Sequence, residues 1–259
     1  MLVNSHIQIP NCILKHFRSS SSNTVYYLNL NDWRVHSCRS SSLGTEFGYY
    51  SYEMEQYLNK EIEDPIAKLA IKVNSFAERK KDKIDITYED EIAVKKYVTA
   101  SMARSKKCLN SYFRNSYFAA LAETRSNHDS IALISTQRNG GVDPLVQNRE
   151  VHLIVNLSNR QFVVPRNCFY DFKDQECVLI MVPISPICVI ALVPEEYPKE
   201  YIDGEVCRLH KITEAETVWE MNKQALHYEW VYNFSFIASA RKQELNELKL
   251  YLETDKIFH

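Results

Sequence analysis

Glycine is scarce in this sequence, with five residues among 259. Phosphate-binding loops such as GxGxxG and GxxxxGKS need several glycines, because only a residue without a side chain lets the main chain approach a phosphate closely. Neither of these patterns occurs, and nor does GxxxxGKT. The scarcity therefore argues against nucleotide binding by a Rossmann or P-loop motif.

Neither a charge excess nor a set of paired cysteines is present. The 31 basic and 33 acidic side chains leave a formal net charge of -2, so no overall field attracts the chain to nucleic acid. The seven cysteines are odd in number, widely spaced and without a CxxC pair. This pattern is typical of reduced thiols rather than of a disulfide framework or a zinc ribbon, and it predicts a cytoplasmic protein.

Long apolar runs are also lacking. The most apolar stretch, residues 178–194, is interrupted by Pro183, Ser185 and Pro186. A helix that spans a bilayer needs about 20 consecutive apolar residues, whereas an apolar stretch broken by prolines favours short buried strands. We therefore expect two strands here and no membrane association. The N-terminus also shows no basic leader before an apolar stretch, as a secretion signal would.

The first half of the chain contains both β and helical patterns. Aromatic and β-branched residues predict an N-terminal β-hairpin with strands at 25–31 and 33–39. Apolar residues at spacings of three and four then predict helix from about 50 to 76, ended or kinked at Pro65. Residues 124–149 show no sustained period and are predicted to be mainly loop.

Two further helical regions are expected. Thr87 and Asp90 have the spacing of a capping box, so a helix should begin beside them and continue, with a break, to about 123. The stretch from 213 to 253 is free of glycine and keeps a helical spacing, which predicts one long closing helix.

Four apolar segments between these helical regions predict a β layer: VHLIVNL, RQFVVP, ECVLIMVP and PICVIALVP. The short SNR link predicts that the first two form an antiparallel hairpin, and NCFYDFKDQ reads as a polar connection. The predicted class is α+β, a mostly helical single domain with an antiparallel β layer. Its expected segments are an N-terminal motif and hairpin (1–45), a helical region (46–123), a loop (124–149), the β layer (150–203) and C-terminal helices (212–254).

Three ionisable side chains are candidate site residues. His6 precedes Pro10 and titrates near neutral pH, which suits an acid, a base or a ligand; the alternative is a pairing with the main chain that anchors the N-terminus. Glu63 adjoins the inward-facing Ile62, and its alternative role is solvated surface acid. Arg104 follows small and apolar residues along one helix face, so it needs an anionic partner, either a ligand or a structural glutamate.

Basic and aromatic residues interleave between 104 and 118. This composition is compatible with binding of single-stranded nucleic acid or another anionic ligand, whereas aromatics at helical spacing are more often core. No HExxH motif and no paired Cys/His spacing predicts a metal site, and no motif identifies a cofactor.

Short motifs along nearly the whole chain are similar to those of one known family. HIQIPNCILKHF, beginning at His6, looks like an N-terminal His-Tyr-Val-Pro motif with its following Leu and Phe, although Gln8 and Ile9 depart from the strict form. YYSYEMEQYLNKEIEDPIAKL looks like an acid-bearing helix with Glu63 at the acid, and TYEDEIAVKKYVTASMARS looks like a second helix ending in Arg104. The chain thus resembles a mainly bacterial domain family of unknown function, known by its His-Tyr-Val-Pro motif.

Later segments follow the same family order. FVVPRNCFYDF stands where the family has a strand followed by Ser-Asp-Asn-Pro, so the aspartate is missing and Asn167 alone carries over. VPISPICVIAL is similar to a Pro-Leu-Ser-Pro strand, and Asn222 looks like the closing asparagine. The missing aspartate argues against metal-dependent chemistry in this member.

The resemblance implies a polar site and, by analogy with bacterial mobile-element and defence genes, a nuclease-like hydrolase. In that hypothesis His6 is the general acid or base, Glu63 orients or complements it, and Arg104 stabilises phosphoryl charge. A second hypothesis is a non-catalytic binding or regulatory module, in which Arg104 and Asn167, with Asn222, hold an anionic ligand or a partner chain. In a third, the His6, Glu63 and Arg104 side chains form a buried network that pins the N-terminus. The substrate and the oligomeric state are left open by these patterns.

Overall fold

A computed structural model of the protein describes residues 2–6, 9–19, 22–79, 84–104, 141–174, 176–198, 201–202, 205–206, 208–232 and 235–255. Helices and strands both occur along these residues, and most strand pairs are antiparallel. The predicted α+β class is therefore confirmed. No helix in these ranges is long and apolar enough to cross a membrane.

The strands of the described residues are numbered in chain order. They are β1 (Leu2–His6), β2 (Thr24–Asn29), β3 (Arg34–Arg39), β4 (Thr45–Ser51), β5 (Glu150–Asn156), β6 (Val164–Pro165), β7 (Tyr170–Asp174), β8 (Cys177–Ser185), β9 (Cys188–Val193), β10 (Tyr201–Ile202), β11 (Glu205–Val206), β12 (Leu209–Ile212) and β13 (Phe236–Ser239).

The α-helices of the same residues are numbered likewise. They are α1 (Asn11–Leu14), α2 (Tyr52–Leu58), α3 (Asp64–Glu78), α4 (Tyr88–Arg104), α5 (Pro144–Gln147), α6 (Ala215–Tyr232) and α7 (Lys242–Thr254). A 3-10 turn (Lys15–Phe17) follows α1, and a π turn (Asn59–Glu63) joins α2 to α3.

The predicted N-terminal hairpin is confirmed. Strands β2 and β3 pair antiparallel, from Thr24 opposite Arg39 to Asn29 opposite Arg34. The hairpin forms one side of a four-stranded sheet with the order β3-β2-β13-β6. Strand β4, which covers the start of the helical region predicted from 46, instead pairs antiparallel with β1.

The single closing helix predicted from 213 to 253 is wrong, because a buried strand interrupts it. Helix α6 ends at Tyr232 and α7 begins at Lys242, and β13 lies between them. Strand β13 pairs antiparallel with both β2 and β6, and all four of its residues are buried. Helical spacing is a weak signal that tertiary pairing overrides, and here the sheet supplies main-chain partners on both sides.

The later β layer forms a five-stranded sheet whose connections differ from those predicted. Its order is β12-β5-β9-β8-β7, and β12 runs parallel to β5, so the sheet is mixed rather than purely antiparallel. The two strands expected around Pro186 are confirmed as the antiparallel pair β8 and β9. The hairpin predicted between VHLIVNL and RQFVVP is wrong, since β5 pairs with β9 and β12 while β6 belongs to the four-stranded sheet. The segment NCFYDFKDQ, predicted as a connection, contains the edge strand β7.

The predicted helix is divided just before Pro65, where a π turn separates α2 from α3 and Pro65 stands in the first turn of α3. The N–H of Asp64 donates to the carbonyl of Asn59, a bond that spans five residues and closes the π turn. A proline in a regular helix lacks a donor, and its ring clashes with the carbonyl four residues earlier. The π turn moves the chain out of the regular helical geometry at this point, and such turns are frequent at functional sites.

Helix α4 begins as the capping-box spacing predicts. The Thr87 hydroxyl accepts from the N–H of Asp90 at 3.3 Å, and the Asp90 carboxylate accepts from the N–H of Thr87 at 3.1 Å. The helix is described as far as Arg104. The predicted continuation to 123, and the part of the predicted loop from 124 to 140, lie outside the described residues.

Helix α6 lies where the two larger sheets meet. It contacts β7 and β12 of the five-stranded sheet and β6 and β13 of the four-stranded sheet. Helix α3 packs against β8 and β9, and α4 packs against β5, so strands β8 and β9 are buried along most of their length. The two sheets are thus held in one core, in which short connections bring distant parts of the sequence together.

A pair of histidines joins β5 to β12. The Nδ1 of His152 lies 2.9 Å from the Nε2 of His210, and the two rings are nearly parallel. This hydrogen bond needs one ring nitrogen without a proton, so it is lost when both rings are protonated. Burial, followed by the neighbouring His210, lowers the pKa of His152 below its ordinary value of 6.5, although the nearby Glu150 opposes the shift.

We predict that the free energy of unfolding falls as the pH is lowered through about 6.5, because the unfolded chain takes up a proton that folded His152 resists. Buried His16 has a lowered pKa as well and contributes in the same direction. Urea unfolding at a series of pH values gives the free energy of unfolding as a function of pH. The slope of this dependence should be shallower for His152→Gln than for the wild type. The exposed α6 residue provides the control: His227→Gln should retain the wild-type slope, and an equally steep slope in His152→Gln would contradict the assignment.

Candidate functional site

The chain passes from one sheet to the other within four residues, 166–169, between β6 and β7. The N–H of Cys168 donates to the carbonyl of Pro165 at 2.9 Å, which closes a turn. Cys168 adopts a φ of 69°, a left-handed conformation that costs a residue other than glycine about 1–3 kcal/mol. Such conformations persist only where the surroundings fix them, and they are concentrated at functional sites.

Asn167 in this turn is the most unusual polar residue of the described structure. Its exposed fraction is 0%. Neither its amide nitrogen nor its amide oxygen has a hydrogen-bond partner among the described residues. A buried polar group left without a partner costs about 1–3 kcal/mol. The turn therefore carries an amide that is ready to bind a polar group and that lowers stability without one.

Tyr97, on α4, is buried beside this turn. Its hydroxyl is in the electrostatic neighbourhood of the Cys168 thiol, which is itself fully buried. Burial, and next the interaction with Cys168, raise the pKa of Tyr97 well above its usual value of 10.0. The phenol is therefore a neutral hydrogen-bond donor at neutral pH and not a base.

Cys12 and Glu63 are also in the electrostatic neighbourhood of this phenol. The Cys12 thiol donates to the main-chain carbonyl of Glu63, with the sulfur 3.8 Å from the oxygen. Burial, assisted by the Glu63 carboxylate, raises the pKa of Cys12 to about 12. Both residues also raise the pKa of Tyr97, and α4 packs against the π turn that ends at Glu63.

The Tyr97 cluster is the name used below for this group of five residues. Its members are Cys12, Glu63, Tyr97, Asn167 and Cys168. It combines one carboxylate, a neutral phenol, two thiols and an unpartnered amide, at a place marked by a π turn and a left-handed residue. Buried polar groups with perturbed pKa values and backbone outliers together indicate a functional site.

The structure brings two of the five predicted site residues into this cluster and assigns a third to the framework. Glu63 and Asn167, far apart in the sequence, both belong to the Tyr97 cluster. Asn222 is 1% exposed; its amide nitrogen donates to the carbonyl of Gln161 at 2.8 Å, and its oxygen accepts from the N–H of Val163 at 3.1 Å. These two bonds fix the segment before β6 and give Asn222 a structural role, and its predicted ligand binding stays a prediction.

The main-chain positions of the remaining two candidates are known. His6 ends β1, opposite Thr45 of β4. Arg104 is the last described residue of α4, two helical turns after Tyr97. Their side chains lie outside the described part of the structure, so the predicted convergence of His6 and Arg104 with Glu63 stays a prediction.

Sequence reasoning missed Tyr97 as a functional candidate and missed the role of Cys168. Tyr97 belongs to the apolar stripe that leads along α4 to Arg104, and its burial and that of Ser101 agree with this stripe. Nothing local in the sequence marks Cys168 as left-handed, because only the pairing of β6 and β7 in different sheets creates that turn.

No protein-family model, no curated protein and no solved structure matches this chain. The site is therefore argued from its own geometry. Within the described residues, no group of three or more His, Cys, Asp and Glu side chains is arranged to hold a metal ion.

Two asparagine substitutions should differ clearly in their effect on the free energy of unfolding. Asn167→Ala removes an amide without partners, so we expect its free energy of unfolding to stay within about 1 kcal/mol of the wild type, or to rise. Asn222→Ala removes two hydrogen bonds to buried main chain and should lower the free energy of unfolding by about 2–3 kcal/mol. Urea unfolding of both variants measures the difference, and a loss in Asn167→Ala as large as that in Asn222→Ala would mean that the Asn167 amide is structural.

Proposed function

We propose that this protein is a phosphoester hydrolase, in the form of a nuclease-like effector, that acts at the Tyr97 cluster. The observation that supports the proposal best is that the Glu63 carboxylate and the turn that carries Asn167 and Cys168 lie near one buried phenol, although they are distant in the sequence. A carboxylate, a neutral phenol and an amide that has no hydrogen-bond partner among the described residues suit a site that binds and activates a polar substrate. The bacterial defence or mobile-element setting is carried by the family resemblance alone.

Each residue has a proposed role. Glu63 orients or complements the general acid or base, which we assign to His6 at the end of β1. Arg104, on the same helix as Tyr97, stabilises negative charge that develops on the phosphoryl group. The Asn167 amide binds a polar atom of the substrate, and Tyr97 supplies a neutral donor. We propose a cytoplasmic location, in keeping with the described cysteines, none of which forms a disulfide.

A non-catalytic binding module is the second candidate function. It is favoured by the raised pKa values of Tyr97 and Cys12, since both groups are protonated at neutral pH and can donate hydrogen bonds but cannot act as bases. In that case the Tyr97 cluster, with Asn167 as the main contact, holds an anionic ligand or a segment of a partner protein without changing it.

The test is incubation of the purified full-length chain with RNA, single-stranded DNA, double-stranded DNA and nucleotides, with and without divalent metal. We expect hydrolysis of at least one substrate. His6→Ala and Glu63→Gln should each lower kcat/KM by about a hundredfold or more, the contribution typical of an acid or base in the transition state. Arg104→Ala should lower it by about a hundredfold through loss of charge stabilisation.

Glu61→Gln is the matched control, because Glu61 is in the same π turn but pairs with exposed Lys60 at the surface. It should leave kcat/KM and the melting temperature unchanged. A wild-type kcat/KM in Glu63→Gln would show that hydrolysis does not take place at the Tyr97 cluster. Ligand affinity that is lost in Asn167→Ala, in the absence of any hydrolysis, would instead establish the binding module.

A further inference from the structure

A polar cavity lies on the surface, and none of the residues of the Tyr97 cluster lines it. Its volume is about 450 Å³, and it is lined by parts of the 3-10 turn, α3, the β8–β9 turn and the loop before α7. Asn74 in its wall follows Glu63 by eleven positions, which is about 16 Å along the helix at 1.5 Å per residue. Small-molecule sites typically have volumes of about 300 Å³ or more. This space is therefore large enough for a ligand of its own.

Arg18 is the first cation of this cavity. Its Nε and Nη2 donate to the hydroxyl of Ser40 at 3.0 and 2.8 Å, and its Nη1 lies 3.4 Å from the side-chain oxygen of Asn23. Ser40 is held in turn by a bond to the side-chain oxygen of Asn11 at 2.9 Å. Neutral groups thus orient the guanidinium, and no carboxylate of the described residues forms an ion pair with it. Arg18 keeps its full charge for a ligand.

Arg241, just before α7, is the second cation. Its Nη1 donates to the main-chain carbonyl of Asn159 at 2.8 Å, and within the described parts of the chain it has no acidic partner. The adjacent Arg160 makes a useful contrast, because it lies 3.1 Å from Glu244 and 2.7 Å from Glu247 and is therefore neutralised. Arg160 is thus paired with two carboxylates, whereas Arg18 and Arg241 form no ion pair among the described residues. Arg241 also lines a second pocket with Glu244 and Glu247.

Asn74 and His16 form the inner wall between these arginines. Asn74 is 8% exposed; its amide nitrogen lies 3.1 Å from Nδ1 of His16, and its amide oxygen has no hydrogen-bond partner in the described structure. The exposed Glu78 lines the same cavity and is its one carboxylate among the lining residues. Two guanidinium groups against one carboxylate leave a net positive charge, which favours a dianion over a neutral ligand.

We propose that this cavity binds a phosphate group, free or as the terminal phosphate of a nucleotide, with Arg18 and Arg241 as the charged contacts. Guanidinium groups match the geometry of a phosphate through paired N–H donors, and the net positive charge of the lining favours an anion. The His16 ring and the Asn74 amide provide neutral contacts at the inner wall. The site does not depend on the proposed hydrolysis, because it shares no residue with the Tyr97 cluster.

The direct test is isothermal titration of the wild-type chain with inorganic phosphate and with adenosine monophosphate, at constant ionic strength set with chloride. We expect Arg18→Gln and Arg241→Gln each to weaken phosphate binding by roughly tenfold to a hundredfold, as for loss of a hydrogen bond to a charged group. Because Arg241 is exposed, its variant should keep the fold even if Arg18→Gln does not. Arg39→Gln, an exposed arginine of β3, is the matched control and should bind as the wild type does.

A second readout follows His16 itself. Burial lowers the pKa of His16, and a bound phosphate should raise that pKa toward or above its ordinary value, which NMR titration of the ring protons measures with and without phosphate. An unchanged His16 titration, or the same loss of binding in Arg39→Gln as in Arg241→Gln, would overturn the proposal. Binding of adenosine monophosphate but not of phosphate would identify a nucleotide as the ligand, and equal binding would identify the phosphate group alone.

Discussion

The four-residue passage between the two larger sheets is the constraint on which the site depends. The chain leaves the four-stranded sheet at Pro165 and enters the five-stranded sheet at Tyr170. So short a connection forces Cys168 into a left-handed conformation, and the burial of Phe169 and Tyr170 on the β7 side holds it there. The same geometry buries Asn167 beneath the surface, where its amide finds no partner.

Buried polar groups in this protein fall into two kinds. Asn222 and Glu244 are hydrogen bonded to main-chain atoms of residues 161–163, and they hold the segment that leads into the passage. Asn167 lies a few residues later, and its amide has no hydrogen-bond partner among the described residues. A buried polar group with hydrogen-bond partners stabilises the folded protein, whereas one without partners destabilises it. The contrast therefore separates residues that hold the framework from the place where ligand binding is expected. Arg160, which pairs with two carboxylates, differs from Arg18 and Arg241, which donate to neutral oxygens and form no ion pair among the described residues.

Local signals in the sequence predicted local structure well. The β2–β3 hairpin, the strands on either side of Pro186 and the Thr87–Asp90 cap all depend on residues close together in the chain. Strand β13 and the pairing of β6 were missed, because their partners are distant in the sequence and the 213–253 stretch keeps a helical spacing throughout. Glu63 and Asn167 were selected through a family resemblance, and no local pattern indicated that Tyr97 would connect them.

The central claim is that Glu63 and Asn167 act on the same bound substrate. A double-mutant cycle on kcat/KM tests it most directly, with Glu63→Gln, Asn167→Ala and the combined variant compared with the wild type. Residues that serve one substrate should be coupled, so the combined loss should be smaller than the product of the two single losses by about fivefold or more. Losses that multiply independently, or a wild-type chain without measurable hydrolysis, would contradict the account.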